Sequence, residues 1–118
     1  MAERIEPSDL LRAGMRAADL RMKVIANNVA NINTPGYQRK EVVFEQLLAE
    51  AMRTGDADEV KAVQPQIVTP SSPPAQGGGV DLETEMGALI DNSAKFKVYA
   101  ALVKKLGSQK DLAINDTF

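Results

Sequence analysis

The side chains that most often carry chemistry are scarce in this chain, and the spacing of those present excludes more than it offers. Histidine and cysteine are both absent. That removes the commonest general base, the thiol nucleophile, the soft metal ligands and any disulfide framework. Gly77-Gly78-Gly79 is followed by Val80-Asp81 and not by Lys-Ser/Thr, so it reads as a loop-to-helix hinge and not as a phosphate-binding loop. Asp81, Glu83 and Glu85 lack the spacing of a calcium loop and read as charge at a helix start. Asp56, Asp58 and Glu59 read as a solvated acidic patch, and Asn115-Asp116-Thr117 matches a glycosylation sequon only at the level of chance. The expectation is a protein with no catalytic residue, no metal, no cofactor and no small-molecule substrate.

The informative residues are polar but not catalytic: Asn27, Asn28, Asn31 and Asn33, running into Thr34-Pro35-Gly36-Tyr37. Asn31 and Asn33 suit a helix end, where asparagine is favoured. Asn27 and Asn28 lie about a turn inside the helix, where asparagine costs about 0.5 kcal/mol relative to alanine. Asn28 borders an apolar seam and can hydrogen-bond to a neighbouring backbone or side chain. Capping and contact with another subunit stand as equal readings of it. Pro35 lacks an N–H and disfavours helix in the residue before it, while Gly36 permits the positive φ of a tight reversal. Tyr37 is large enough to anchor the turn while its hydroxyl finds a polar partner. The break therefore reads as a geometric joint.

The elements that must position this joint are two long helices at the ends of the chain. The first is expected from an N-cap at Ser8 to Asn31 or Asn33. Leu11, Met15, Ala18, Met22, Ile25, Val29 and Ile32 alternate spacings of four and three, a heptad seam. Leu10, Ala13, Ala17, Leu20 and Val24 form a second stripe, read as lying on roughly the opposite side, which neighbouring subunits would have to cover. The second helix is expected from an N-cap at Asp81 to about Ile114. Its seam is Leu82, Met86, Leu89, Ser93, Phe96, Ala100, Val103 and Gly107, and it is apolar on most of its circumference near Phe96, Tyr99 and Leu106. Asn92-Ser93 interrupts that seam with polarity that can fix register, and Gly107 suggests a close approach or a bend.

Between the helices, the first residues after Tyr37 suit extended chain and residues 43–52 suit a short helix. Residues 54–79 carry Pro65, Pro70, Pro73, Pro74 and the glycine triplet with no burying pattern. Ordering them costs roughly 1–2 kcal/mol per residue in backbone entropy, so a flexible loop is expected. The fold class is all-α: an antiparallel, coiled-coil-like pair of N- and C-terminal helices around an irregular, largely flexible middle. The parts are 1–33, 34–53, 54–79 and 80–118, within one structural domain.

Composition agrees with a thin, assembly-dependent chain. Only five of 118 residues are aromatic and none is tryptophan, a small payload for a compact globule. A net charge of −2 argues against a nucleic-acid binder. No leader of the secretory type opens the sequence and no apolar run approaches about 18 residues, so neither a signal peptide nor a membrane span is expected.

The asparagine helix and its break closely resemble the N-terminal signature of the bacterial flagellar axial proteins, which include rod, hook and rod-cap subunits. The matching residues are Val24-Ile25-Ala26-Asn27-Asn28-Val29-Ala30-Asn31, Asn33-Thr34-Pro35-Gly36-Tyr37, then Arg39-Lys40 before Val42-Val43-Phe44. A second match, Val80-Asp81-Leu82-Glu83, Glu85-Met86, Asn92-Ser93, Phe96-Lys97-Val98, Lys105-Leu106 and Ala113-Ile114, resembles the C-terminal region of FlgB-type proximal rod proteins. The FlgC-type rod proteins are the nearest rival family, but they carry extra residues between the asparagines and the tyrosine. The resemblance implies a structural subunit of the periplasm-spanning basal-body rod that transmits motor torque through helix packing. It also implies export by the flagellar type III apparatus without a cleaved signal peptide. The implied partners are copies of itself, other rod proteins, the rod–MS ring junction protein and the export apparatus. Expected assembly contacts are Leu11, Met15, Leu20, Met22, Val24, Ile25, Val29, Asn28, Asn31, Asn33, Pro35, Gly36, Tyr37, Leu82, Met86, Leu89, Phe96, Tyr99 and Val103. A cytoplasmic coiled-coil adaptor or export chaperone would explain the heptads but not the asparagine–NTPGY sequence.

Overall fold

A computed structural model describes residues 5–70 and 80–117, with side chains in the second segment as far as Ser108. The elements in chain order are α1 (Pro7–Ala30), β1 (Glu41–Val43), α2 (Glu45–Thr54), α3 (Ala57–Lys61), β2 (Gln66–Val68) and α4 (Leu82–Thr117). The architecture is all-α, with α1 and α4 packed along each other as the dominant contact. No described helix is long and apolar enough to cross a membrane.

The ends of the helices follow local chemistry. Pro7 occupies the first turn of α1, where its missing N–H costs nothing, and the cap is Glu6 without a side-chain bond. Ser8 therefore lies inside the helix and is not its N-cap. Asn31 closes α1, its N–H shared between the carbonyls of Asn27 and Asn28 at 3.2 and 3.1 Å. Asp81 caps α4: its carboxylate accepts from the Glu83 N–H at 3.3 Å and from the Thr84 hydroxyl at 2.9 Å. Gly107 makes no close approach to a described neighbour, since a Cβ there would face open space, and α4 continues through it.

The middle of the chain is more ordered than its sequence suggests. The N-terminal part of residues 54–79 is not an aperiodic loop: α3 and β2 form there, and β2 pairs antiparallel with β1, Val42 opposite Ile67. The rest of that loop, 71–79 with the glycine triplet, lies outside the described residues.

This middle layer also explains the second stripe of α1. The buried apolar side chains are Ala17, Ala18, Val24, Ile25, Val42, Phe44, Ala51 and Val60. Leu10 and Ala13 face Phe44, Leu48 and Val60 across a cleft of about 290 Å³. The two stripes are not on opposite sides. At about 100° per residue they flank one face, centred on Gly14, Ala17, Ala18, Arg21, Val24, Ile25 and Asn28, and the chain's own β1–α2–α3 segment lies against the second flank.

Candidate functional site

Three levels of contact hold α1 to α4, and each pairs residues seven apart on one helix with residues seven apart on the other. Gly14 faces Tyr99, Arg21 faces Asn92 and Asn28 faces Glu85. Ascending one helix while descending the other keeps the pairs in step, as two antiparallel helices with a 3.5-residue repeat require.

At the first level a glycine makes room for a ring: a Cβ on Gly14 would lie only 2.6 Å from Tyr99 Cζ. The ring delivers its hydroxyl to Glu45 Oε2 at 2.7 Å. Burial, then the bond to Glu45, pushes the Tyr99 pKa up to about 12. Burial alone would raise the Glu45 carboxyl, but the bonds from Tyr99 and from the backbone, with the charge of Arg21, outweigh it and leave it below the ordinary carboxylate value.

At the second level Arg21 donates to Asn92 Oδ1 at 3.0 Å and to Glu45 Oε1 at 2.7 Å. Asn92, 1% exposed, donates in turn to the Ala18 carbonyl at 2.7 Å. A buried amide that meets both a backbone group and an arginine tolerates little sliding between the helices.

The third level ties the turn to both helices. Asn28 is fully buried and uses all of its hydrogen-bonding capacity. Its amide nitrogen donates to the Lys40 carbonyl at 2.9 Å and to Glu85 Oε1 at 2.7 Å, while its oxygen accepts from the Lys40 N–H at 3.0 Å and the Tyr37 hydroxyl at 3.1 Å. The two bonds to Lys40 imitate a strand partner. Asn27 donates to the Tyr37 oxygen at 3.0 Å. Glu85, also fully buried, faces Arg39, whose nitrogens lie 3.2–3.3 Å from its two oxygens. Partial burial opposes the Arg39 charge, yet its bonds to Glu41 and Glu85 and their charges win and hold its pKa above the ordinary value. The turn itself has Tyr37 N–H bonded to the Thr34 carbonyl at 3.2 Å and Gly36 at φ +78°, the pattern of a type II turn with Pro35 before the glycine.

The expected assembly residues divide between this interior and the surface. Val24, Ile25 and Asn28 are buried within the chain, and Leu11, Met15, Leu20, Asn31, Tyr37, Leu89, Tyr99 and Val103 are half-buried. Asn28 is thus an internal clamp, its bonds all within the chain. Met22, Val29, Asn33, Pro35, Gly36, Leu82, Met86 and Phe96 are exposed. Leu82, Met86 and Phe96 therefore do not form the α4 seam against α1. That seam runs through Glu85, Asn92 and Tyr99, one side of it away. Gly14, Arg21, Arg39 and Glu45 carry no sequence signal of their own as site residues, and Glu85 lies in the first turn of α4 as expected but is there the buried partner of Arg39. The available signal was the sevenfold spacing 14–21–28 and 85–92–99, which a search for apolar repeats passes over.

With that geometry in place, similarity to known proteins becomes specific. The family model of flagella basal body rod proteins matches residues 11–38, the stretch of α1 and turn that carries Gly14, Arg21, Asn28 and Tyr37. The flagellar basal body rod protein FlgB of Bacillus subtilis (strain 168) is 33% identical over 112 residues, covering 84% of this chain and 83% of that protein. The FlgB of Escherichia coli (strain K12) is 31% identical over 97 residues, covering 66% and 70%. The basal-body rod protein FlgG of Buchnera aphidicola subsp. Schizaphis graminum (strain Sg) is 30% identical over 106 residues, which is 88% of this chain but 35% of that longer protein.

Proposed function

The chain belongs to the flagellar basal-body rod proteins of the FlgB type and is a structural subunit of that rod; from this premise we propose that it sits in the proximal part, among copies of itself and other rod subunits. There it meets the rod–MS ring junction protein, having passed through the flagellar export apparatus without losing a signal peptide. Its work is mechanical: torque passes through packed helices, and no residue is catalytic.

One observation carries the reading of assembly through outward helix faces. Leu82, Met86, Ile90, Ala94, Val98 and Leu102 recur every fourth residue along α4, and all are exposed, Ile90 by 69%. Residues four apart form a ridge that slants about −26° to the axis and fits the grooves of another helix. A contiguous exposed apolar ridge is the kind of surface that meets a partner. Met22, Ala26, Val29 and Ala30 leave a similar apolar strip exposed on α1.

The test is Ile90→Glu in a motile strain. Circular dichroism of the purified variant should match the parent, because the side chain touches solvent, while the variant should be missing from purified basal bodies and cells should lose motility. Normal incorporation of Ile90→Glu would show that the ridge is not an assembly surface.

A further inference from the structure

Resting on the rod assembly proposed above, we infer that the 97–105 stretch of α4 docks against the α2–α3 surface of a second copy of this chain. From residue 92 to residue 108 the sequence holds no carboxylate and four lysines. Lys95 pairs with Asp91. Lys97, Lys104 and Lys105 are exposed and surround Val98, Ala101 and Leu102, with Val98 56% and Leu102 43% exposed. Spacings of three and four place these six side chains on one face. The face is an apolar centre with a basic rim.

The complementary surface lies on the same chain. Residues 45–61 carry Glu45, Glu50, Asp56, Asp58 and Glu59 against the two cations Arg53 and Lys61, and Arg53 pairs with Glu50. Leu47 is 37% exposed, and Glu50 and Thr54 follow it at spacings of three and four, which sets all three on one side of α2. The Thr54 hydroxyl donates to Glu59 Oε2 at 2.8 Å, which draws the acidic end of α3 onto that side. This is an apolar centre with an acidic rim, the counterpart of the α4 face in both sign and chemistry.

Two different patches of one chain that fit each other make a heterologous contact. The copy that offers its α2–α3 surface still has its own α4 face to offer, so the contact repeats from copy to copy instead of closing a two-fold dimer. The apolar part of each patch is small, Val98, Ala101 and Leu102 on α4 and Leu47 on α2, whereas a standard interface buries roughly 800 Å² per partner. The contact therefore forms where the rod already holds copies side by side.

The absence of native cysteine makes the test direct. Leu47→Cys and Leu102→Cys are made as separate variants and expressed together in one motile strain, and basal bodies are purified and oxidised. A disulfide forms only where Cα atoms come within about 7 Å. The expected result is a cross-linked dimer of this chain, and none when Glu83→Cys replaces Leu102→Cys. Lys104→Glu with Lys105→Glu on the Leu102→Cys copy should reduce the dimer about tenfold or more, and Asp58→Lys with Glu59→Lys on the Leu47→Cys copy should restore it. Basal bodies that contain both variants but no dimer overturn the inference, as does a disulfide-linked product with a different rod protein or charge reversal without rescue. The unaltered chain in a parallel culture separates the two readings: its absence from basal bodies would defeat rod assembly itself, whereas its presence beside a missing dimer defeats only this contact.

Discussion

Gly14 shows how little space the α1–α4 contact leaves at the level of a single residue. In an isolated helix, alanine would be better than glycine by about 1 kcal/mol. Here the added methyl would strike the Tyr99 ring, and moving that ring also moves the hydroxyl held by Glu45. Gly14→Ala should destabilise the chain by about 1–3 kcal/mol in chemical denaturation, the usual effect of overpacking, and a stabilised variant would mean that the ring yields freely. Tyr99 also sets an alkaline limit. Its folded pKa, about 12, lies above the ordinary value of 10.0, so its contribution is complete below about pH 10 and is lost as pH rises towards 12. The denaturation midpoint of the parent should fall over that window, and that of Tyr99→Phe should fall less. Glu45 acts in the opposite direction: its carboxyl is depressed, so its contribution is present near neutrality and disappears as pH falls through the acid range.

At the scale of elements, the Asn–Thr–Pro–Gly–Tyr joint can be separated into backbone and side-chain parts. Nothing lies within 4 Å of a Cβ at Gly36, so the cost of any substitution there is its φ of +78°. Gly36→Val should cost about 1–3 kcal/mol, and Gly36→Asn less, because asparagine tolerates left-handed backbone. Tyr37→Phe should lose only about 0.5–1.5 kcal/mol, since the apolar anchor remains. Thermal melts of the three variants rank them, and equal losses for valine and asparagine would remove φ as the cause. This joint, the cap at Asp81 and the close of α1 at Asn31 were legible in sequence because their determinants are local. The helix interface was legible only in outline. The centre of the contact is Gly14, Arg21, Asn28, Glu85 and Asn92: the two asparagines are legible as polar positions at a seam, whereas Gly14, Arg21 and Glu85 look like surface until their partners across the pair are known. β1 was legible only as extended chain after Tyr37 and β2 left no trace, because three residues are too few to show alternation and each strand's partner lies about 25 residues away.

At the scale of the whole molecule, the chain is long and thin. Its radius of gyration is 18.0 Å and its extents are 63 × 29 × 15 Å, whereas a compact domain of this length would have a radius of gyration of about 13–14 Å. A body little thicker than one helix cannot enclose many side chains, so stability must be uneven along it. The register that sets Gly14 beside Tyr99 and Asn28 beside Glu85 brings Pro7, the start of α1, level with Leu106. Beyond that point α4 runs on to Thr117 with no α1 to pack on. A helical extension of roughly ten residues is marginal in water without tertiary contact. Amide exchange on the purified chain should therefore be slowest around residues 17–28 and 85–99, intermediate in the β1–β2 pair, and fast from about residue 108 onward. In assembled rods, where a neighbouring subunit can cover the extension, those last amides should slow by an order of magnitude or more. Protection already uniform to the end of α4 in the monomer would show that the extension is stable by itself, and the case for a helix completed by its neighbours would fail there.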